Sequence, residues 1–146
     1  MAAANKLSID VAAGILTDDI GRVLIAKRPE GTHQAGWWEF PGGKISASES
    51  SYEGLVRELA EEIGITVHAG REFLTYTHEY PERFVTLHVF TVQQFSGHPA
   101  GVEGQALRWE PVGSLMQAGL LPADLPIVDA LTEKGSEPAS VQVTPP

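Results

Sequence analysis

The stretch Gly43–Ile65 reads GKISASESSYEGLVRELAEEIGI, and it predicts a glycine turn followed by a short helix. The helix carries Glu58, Glu61 and Glu62 at positions i, i+3 and i+4, which lie on one helical face. Like charges at this spacing repel one another, and a bound cation would remove that repulsion. The stretch therefore predicts a metal-dependent enzyme, for which the rest of the chain supplies a scaffold and a substrate pocket.

The predicted helix has clear start and stop signals. Ser50 followed by Glu53 is a capping-box pattern, and Gly64 stands where a left-handed C-terminal cap is expected. Between them runs an apolar stripe next to the acidic face, formed by Tyr52, Leu55, Val56, Leu59 and Ile63. We expect one face of the helix to pack on a sheet while its neighbour stays available for chemistry.

Length and composition limit the protein to a few classes. A chain of 146 residues with 42% apolar residues is most simply one domain, predicted over residues 1–134. Residues 135–146 are polar and rich in proline and serine, so a disordered tail is expected there. With no cysteine, the chain has neither disulfides nor thiolate metal ligands.

The charge of the chain bears on its partners. A formal net charge of −9 argues against binding to polymeric DNA or RNA, whereas a polyphosphate substrate is compatible if a divalent cation supplies positive charge. No apolar run approaches the length of a membrane span, and the N-terminus lacks a signal-peptide core. We therefore expect no membrane association, a cytoplasmic protein, and a monomer or homodimer.

The remaining pattern is that of an α/β protein. A short extended segment, 37–40, leads into a turn at Pro41-Gly42-Gly43. Helices are predicted at 111–118 and 123–133. The predicted strands cover residues 7–16, 22–28, 65–78, 83–95 and 106–110.

The stretch that begins at Gly43 resembles the signature of the Nudix hydrolases. That signature reads Gly, five residues, Glu, seven residues, Arg-Glu, apolar, any, Glu-Glu, any, Gly, apolar, and it is matched without departure. The matching positions are Gly43, Glu49, Arg57, Glu58, Leu59, Glu61, Glu62, Gly64 and Ile65. The likeness extends over about residues 11–131 and is greatest to the MutT group. It implies the Nudix α/β/α sandwich, with a mixed β-sheet between helices.

By resemblance, the reaction is a Mg²⁺-dependent (or Mn²⁺-dependent) hydrolysis of a nucleoside triphosphate. Water attacks the β-phosphorus and gives a nucleoside monophosphate and pyrophosphate. Arg57, Glu58 and Glu61 are the predicted catalytic residues: Glu58 matches the general base, and Arg57 orients the carboxylates. The predicted metal ligands are Glu58, Glu61, Glu62, Glu103 and, through its carbonyl group, Gly42. Oxygen donors of this kind suit Mg²⁺ or Mn²⁺.

The predicted substrate-binding residues are Arg28, Phe40 and Asp124, which match the base contacts of the MutT group, and Lys44, which would contact phosphate. Arg28 and Phe40 keep the matching residue types, but Asp124 replaces the asparagine of that group. Asparagine both donates and accepts, whereas an ionised aspartate only accepts. An ionised Asp124 would therefore lose the O6 contact of 8-oxoguanine but would suit the exocyclic amine of cytosine.

Three functions follow from these residues. The first is sanitation of the nucleotide pool, a form of DNA repair, by hydrolysis of oxidised guanine nucleotides such as 8-oxo-dGTP. The second is hydrolysis of CTP or 5-methyl-dCTP, because Gln34-Ala-Gly-Trp-Trp-Glu-Phe and Pro122-Ala-Asp-Leu-Pro resemble a cytidine-specific relative. The third, from another class, is a Nudix-type nucleotide-sensing module that does not hydrolyse. Such a module is expected to lack a carboxylate of the acidic helix, and none is missing here.

Overall fold

The computed structural model describes residues 6–135. The tail predicted at 135–146 lies outside this part of the chain except for Gly135, which is still helical. The strands are β1 (Leu7–Ile15), β2 (Arg22–Lys27), β3 (Trp38–Glu39), β4 (Gly42–Lys44), β5 (Thr66–Glu79), β6 (Arg83–Ser96) and β7 (Leu107–Pro111). The helices are α1 (Ser51–Ile63) and α2 (Leu125–Gly135), with short 3₁₀ helices at Val112–Gln117 and Pro122–Asp124.

The strands form two sheets. The larger sheet has the order β4-β1-β6-β5, in which β1 and β6 are parallel and the other neighbours are antiparallel. The parallel register places Leu7 opposite Arg83 and Ile15 opposite Thr91. The smaller sheet is antiparallel, with the order β3-β2-β7. The predicted mixed sheet is therefore present, and the strands around β2 form a second sheet beside it.

Helices cover both faces of the larger sheet. Because side chains alternate along a strand, Ala12 of β1 joins the core beneath α1, and Ala13 joins the core on the opposite face. The α1 core includes the fully buried Leu55, Leu59 and Ile63, which belong to the predicted apolar stripe. Residues of α2 complete the opposite core. This is the predicted α/β/α arrangement.

The ends of α1 follow the predicted capping pattern. The Ser50 hydroxyl accepts a hydrogen bond from the Glu53 N–H at 3.0 Å, and the Glu53 carboxylate accepts one from the Ser50 N–H at 2.8 Å. Gly64 ends the helix in the left-handed region with φ of 73°. Both boundary predictions are confirmed.

Two local predictions differ from the structure. The segment predicted as a glycine turn continues as strand β4, in which Gly42 pairs with Ala13 of β1. Gly42 has φ of 156°, and a Cβ atom there would lie 1.9 Å from the carbonyl oxygen of Ala12. The helix predicted at 111–118 is a 3₁₀ helix, a form common in short connecting segments. Within residues 6–135, no helix is both long enough and apolar enough to cross a membrane.

We expect the substitution Leu59→Ala to lower the free energy of unfolding by about 3 kcal/mol, because it leaves a cavity between α1 and the sheet. Leu59 has no exposed surface, whereas Leu7 on β1 is 61% exposed and provides a matched control. The control Leu7→Ala should change stability by less than about 0.5 kcal/mol. Urea denaturation measures both, and equal effects would contradict the packing of α1 described above.

Candidate active site

One guanidinium group organises the acidic face of α1. Arg57 Nε donates to the Glu49 carboxylate at 3.0 Å, and Arg57 Nη1 donates to Glu58 Oε2 at 2.9 Å and to Glu61 Oε1 at 3.3 Å. Arg57 Nη2 donates to the carbonyl of Lys44 at 2.9 Å. A single side chain thus joins β4, the loop that follows it and two carboxylates of the helix.

The contact between Arg57 and Glu49 holds the loop before α1 in place. The hydrogen bonds from Arg57 and from the Ser46 N–H lower the pKa of Glu49 to about 2. The Arg57 pKa is raised, chiefly by Glu49 and then by Glu58. Both partners therefore keep their charges throughout the ordinary pH range.

Glu62 lies on the inner side of the helix, against β4. Its Oε1 atom accepts a hydrogen bond from the Gly42 N–H at 2.9 Å. Burial raises the pKa of Glu62 to about 7, the Gly42 N–H opposes this shift, and the negative charges of Glu39, Glu58 and Glu103 raise the pKa further. A cation bound here would stabilise the ionised form of Glu62.

The oxygen atoms of this acidic cluster fit a hard divalent cation by their chemistry. In the part of the chain that the structure describes, no three acidic or histidine side chains are arranged so that they could hold a metal. Glu58 and Glu61 are hydrogen-bonded to Arg57, and Glu62 to β4. The carboxylates of this cluster would bind a metal through oxygen atoms, the ligand atoms that Mg²⁺ and Mn²⁺ prefer.

Gly43 allows Glu58 to lie against β4. A Cβ atom at position 43 would stand 2.2 Å from Oε1 of Glu58, so any side chain there would displace the carboxylate. The motif therefore needs a glycine at position 43 for a steric reason: it leaves room for the carboxylate of Glu58.

A cavity of about 300 Å³ opens beside this acidic cluster. Residues from β1 and β6 provide an apolar surface within it, formed by Ile9, Val11, Ala13, Val85 and Leu87. Its lining extends from Asp124 to Gly42, Gly43 and Glu62. One continuous space thus joins an apolar pocket to the Glu62 carboxylate of α1.

Asp124 is the buried acid of this cavity, with 6% of its surface exposed. Its Oδ2 atom accepts a hydrogen bond from the Phe40 N–H at 3.0 Å. Burial raises the pKa of Asp124 to about 7; the Phe40 N–H opposes the shift, the Glu39 charge adds to it, and Arg28 opposes it. Near neutral pH, Asp124 is therefore populated in both its protonated and its ionised form.

The other predicted substrate residues line the same cavity. Arg28 donates from Nη1 to Glu39 at 3.1 Å and from Nε to the carbonyl of His33 at 2.7 Å. Burial raises the pKa of Glu39, and the charge of Arg28 and its hydrogen bond oppose that shift. The structure thus brings Arg28, Phe40, Lys44 and Asp124 together around one space.

Of the predicted metal ligands, Gly42 and Glu62 line this cavity, whereas Glu58, Glu61 and Glu103 do not. Glu103 lies on a separate loop. It borders a neighbouring cavity of about 510 Å³. Gln105 links it to the acidic helix: the buried Gln105 amide donates to the Glu62 carbonyl at 3.0 Å and accepts from the Glu103 N–H at 3.0 Å. Glu103 is therefore adjacent to the cluster, and its charge acts on Glu62.

The sequence did not single out several residues of the cavity, namely Gln34, Glu39, Tyr80 and Arg83. For Glu39 the sequence does contain a signal, the pattern Trp38-Glu39-Phe40 before a proline. An acidic residue between two aromatic residues on a short strand is unusual and suggests a functional role. Arg83 reaches the cavity because it begins β6, next to Leu7 of β1. That parallel pairing is a long-range feature with no local sequence signal.

The sheet, the acidic helix and the cavity define a phosphoanhydride hydrolase of the Nudix type, and comparisons with known proteins agree. The family model described as "NUDIX domain" matches residues 11–130. The chain is 41% identical over 122 residues to the CTP pyrophosphohydrolase of Escherichia coli, covering 84% of this chain and 90% of the relative. It is 35% identical over 123 residues to the 8-oxo-dGTP diphosphatase of Escherichia coli, covering 84% and 95%.

A solved structure gives the same result. The solution structure of the Escherichia coli ORF135 protein superimposes with a TM-score of 0.82 at 36% identity, covering 94% of this chain and 98% of that protein. The chain therefore belongs to the NUDIX domain family, in its MutT-like group. The predicted family, fold class and hydrolase activity are confirmed, and the family generally requires a divalent metal.

The pKa of Asp124 predicts a pH dependence of stability. Between its ordinary value near 3.8 and about 7, only the folded state holds the proton. The folded state thus binds more protons, so its stability falls as the pH rises through this window. Relative to the wild type, Asp124→Asn should gain about 3 kcal/mol between pH 5 and pH 8, since about two pKa units are lost at about 1.4 kcal/mol each.

Chemical denaturation at the two pH values measures this gain. Asp129→Asn is the matched control, because Asp129 is an exposed acid of the nearby α2. The control should follow the wild type at both pH values. An unchanged difference between Asp124→Asn and the wild type across the range would contradict a raised pKa at this position.

Proposed function

We propose that this protein hydrolyses nucleoside triphosphates to nucleoside monophosphates and pyrophosphate, with oxidised guanine nucleotides such as 8-oxo-dGTP as its principal substrates. The observation that carries the proposal is the single cavity that joins Asp124 to Glu62 and Gly43. A nucleoside in the apolar part would direct its phosphates toward the carboxylates of α1. Such an enzyme would act in the cytoplasm on free nucleotides, as a monomer or a homodimer.

The residues that would hold Mg²⁺ or Mn²⁺ are Glu58, Glu61 and Glu62, with the carbonyl of Gly42 and with Glu103 from its adjacent loop. When bound, the cation supplies the positive charge that this acidic site lacks for a polyphosphate. Lys44, the last residue of β4, lines the cavity and would add a second positive charge for the phosphates.

The protein's own groups would then move the proton. Glu58 accepts a proton from the attacking water as a general base, while Arg57 fixes the direction of its carboxylate through Oε2. Water adds to the β-phosphorus, and the bond between that phosphorus and the oxygen bridging to the α-phosphate breaks. The products are the monophosphate and pyrophosphate.

The protonation of Asp124 supports oxidised guanine as the base. With Oδ2 held by the Phe40 N–H, Oδ1 is the oxygen that can meet a ligand. A carboxylic acid donates a hydrogen bond and so could serve O6 of 8-oxoguanine. A pKa of about 7 makes this form available at neutral pH.

Cytidine nucleotides are a second candidate, which a specific observation also favours. Asp124 and Glu39 both line the cavity, and in the ionised form both only accept hydrogen bonds. Two acceptors suit the exocyclic amine of cytosine. The 41% identical relative is named for activity on CTP.

A pyrophosphate-release assay with Mg²⁺ tests the reaction. The wild type should turn over at least one of 8-oxo-dGTP, dGTP, CTP and 5-methyl-dCTP, and Glu58→Gln should reduce kcat by a factor on the order of 10³ because the general base is lost. Glu72→Gln, an exposed acid on β5, should have wild-type activity. Tight nucleotide binding without any turnover would instead identify a sensing module.

Asp124→Asn should shift preference toward 8-oxo-dGTP over CTP. Asparagine always carries a donor for O6 and loses the charge that favours the cytosine amine. We expect the ratio of kcat/KM for 8-oxo-dGTP to that for CTP to rise about tenfold, the effect of about 1.4 kcal/mol. Asp129→Asn is again the control, and an unchanged ratio would show that Asp124 does not contact the base.

A further inference from the structure

The loop between β2 and β3 contains an unusual backbone conformation. Gln34 has φ of 58°, and among residues 6–135 it is the only non-glycine residue with a positive φ. Gly31 and Gly36 in the same loop have φ of 87° and 88°. A Cβ atom disfavours this left-handed region of backbone conformation, so a glycine at position 34 would adopt the same φ with less strain.

Gln34 is less exposed to solvent than its neighbours in the loop. Across residues 30–37, Gln34 alone is partly buried and the other residues are exposed. It lines the cavity that contains Asp124 and Arg28. His33 of the same loop also lines the cavity but is exposed, so Gln34 is the partly buried loop residue there, and it has an unfavourable backbone angle.

The loop itself does not need the Gln34 amide. Its backbone is held by hydrogen bonds from the Gly36 N–H to the Arg28 carbonyl at 3.0 Å and from the Trp37 N–H to the Gln34 carbonyl at 3.3 Å. Arg28 also holds the carbonyl of His33. None of these hydrogen bonds uses the side-chain amide of Gln34, which offers both donors and an acceptor on a residue that lines the cavity.

We propose that Gln34 is a substrate-binding residue, whose amide hydrogen-bonds the nucleoside part of the nucleotide in this cavity. The proposal rests on the proposed function, which places a nucleoside in the cavity. Strained residues often occur where a side chain must meet a ligand, and here the strain coincides with partial burial at the cavity wall. The contact is with either the base edge or a ribose hydroxyl, both of which offer donors and acceptors.

The test compares Gln34→Gly with Ala35→Gly in the full chain. Gln34→Gly removes the amide and the backbone strain together, while Ala35→Gly adds similar backbone freedom at an exposed neighbour. We expect Gln34→Gly to raise KM about tenfold, corresponding to one hydrogen bond of about 1.4 kcal/mol. Its kcat should stay within about threefold of wild type, its Tm should be unchanged or higher, and Ala35→Gly should match the wild type.

Substrate pairs identify the contacted group. A KM effect that is larger for CTP than for dCTP indicates the ribose 2′-hydroxyl, and an equal effect indicates the base or another part common to both. A KM for Gln34→Gly within about twofold of wild type for 8-oxo-dGTP, CTP and dCTP would overturn the proposal. So would an equal rise of KM in Ala35→Gly, since loop rigidity would then explain it.

A binding measurement separates this proposal from the proposed function. If the wild type hydrolyses no nucleotide, calorimetry with CMP and 8-oxo-dGMP still reports on the cavity. Weaker binding by Gln34→Gly than by the wild type and Ala35→Gly would support the contact even though the hydrolysis proposal had failed. Equal binding, or no binding of either nucleotide to the wild type, would overturn it.

Discussion

The ion-pair network of Arg57 is the interaction on which the rest of the site depends. The guanidinium group contacts Glu49, Glu58 and Glu61 and the carbonyl of Lys44, so it joins three consecutive parts of the chain. Without this charge, the acidic face of α1 would repel itself and the loop before the helix would lose its main attachment. A lysine could not replace Arg57, because only the planar guanidinium presents donors in several fixed directions at once.

Burial raises the pKa of two carboxyl groups of the cavity to the same value, but the charges around the two groups differ. Glu62 and Asp124 both have a pKa of about 7 with desolvation as the main cause. Around Glu62 the neighbouring charges are three other carboxylates, so a bound cation would relieve the unfavourable energy. Around Asp124 they include Arg28 and Glu39, and its hydrogen bond comes from the Phe40 N–H, so the energy is relieved by a proton. One end of the cavity therefore suits a metal, and the other suits a base.

The sequence predicted well what depends on local order along the chain. The capping box at Ser50, the cap at Gly64 and the apolar stripe ending at Ile63 are determined within α1, and all are present in the structure. Features that depend on the pairing of distant strands could not be predicted in this way. Arg83 enters the cavity only through the parallel register of β1 and β6, and Gln34 only through a loop conformation that glycine would more readily adopt.

Asp124 illustrates why a residue type alone did not identify the base. From sequence, replacing asparagine by aspartate removes a donor, because an aspartate is normally ionised at neutral pH. The fold buries this carboxyl group and restores the donor in part of the molecules. The same position then offers a donor when protonated and an acceptor when ionised, so it is compatible with oxidised guanine and with cytosine. In the proposed function, base preference therefore depends on the protonation of Asp124 together with other groups of the cavity, among which Gln34 is the proposed contact with the nucleoside.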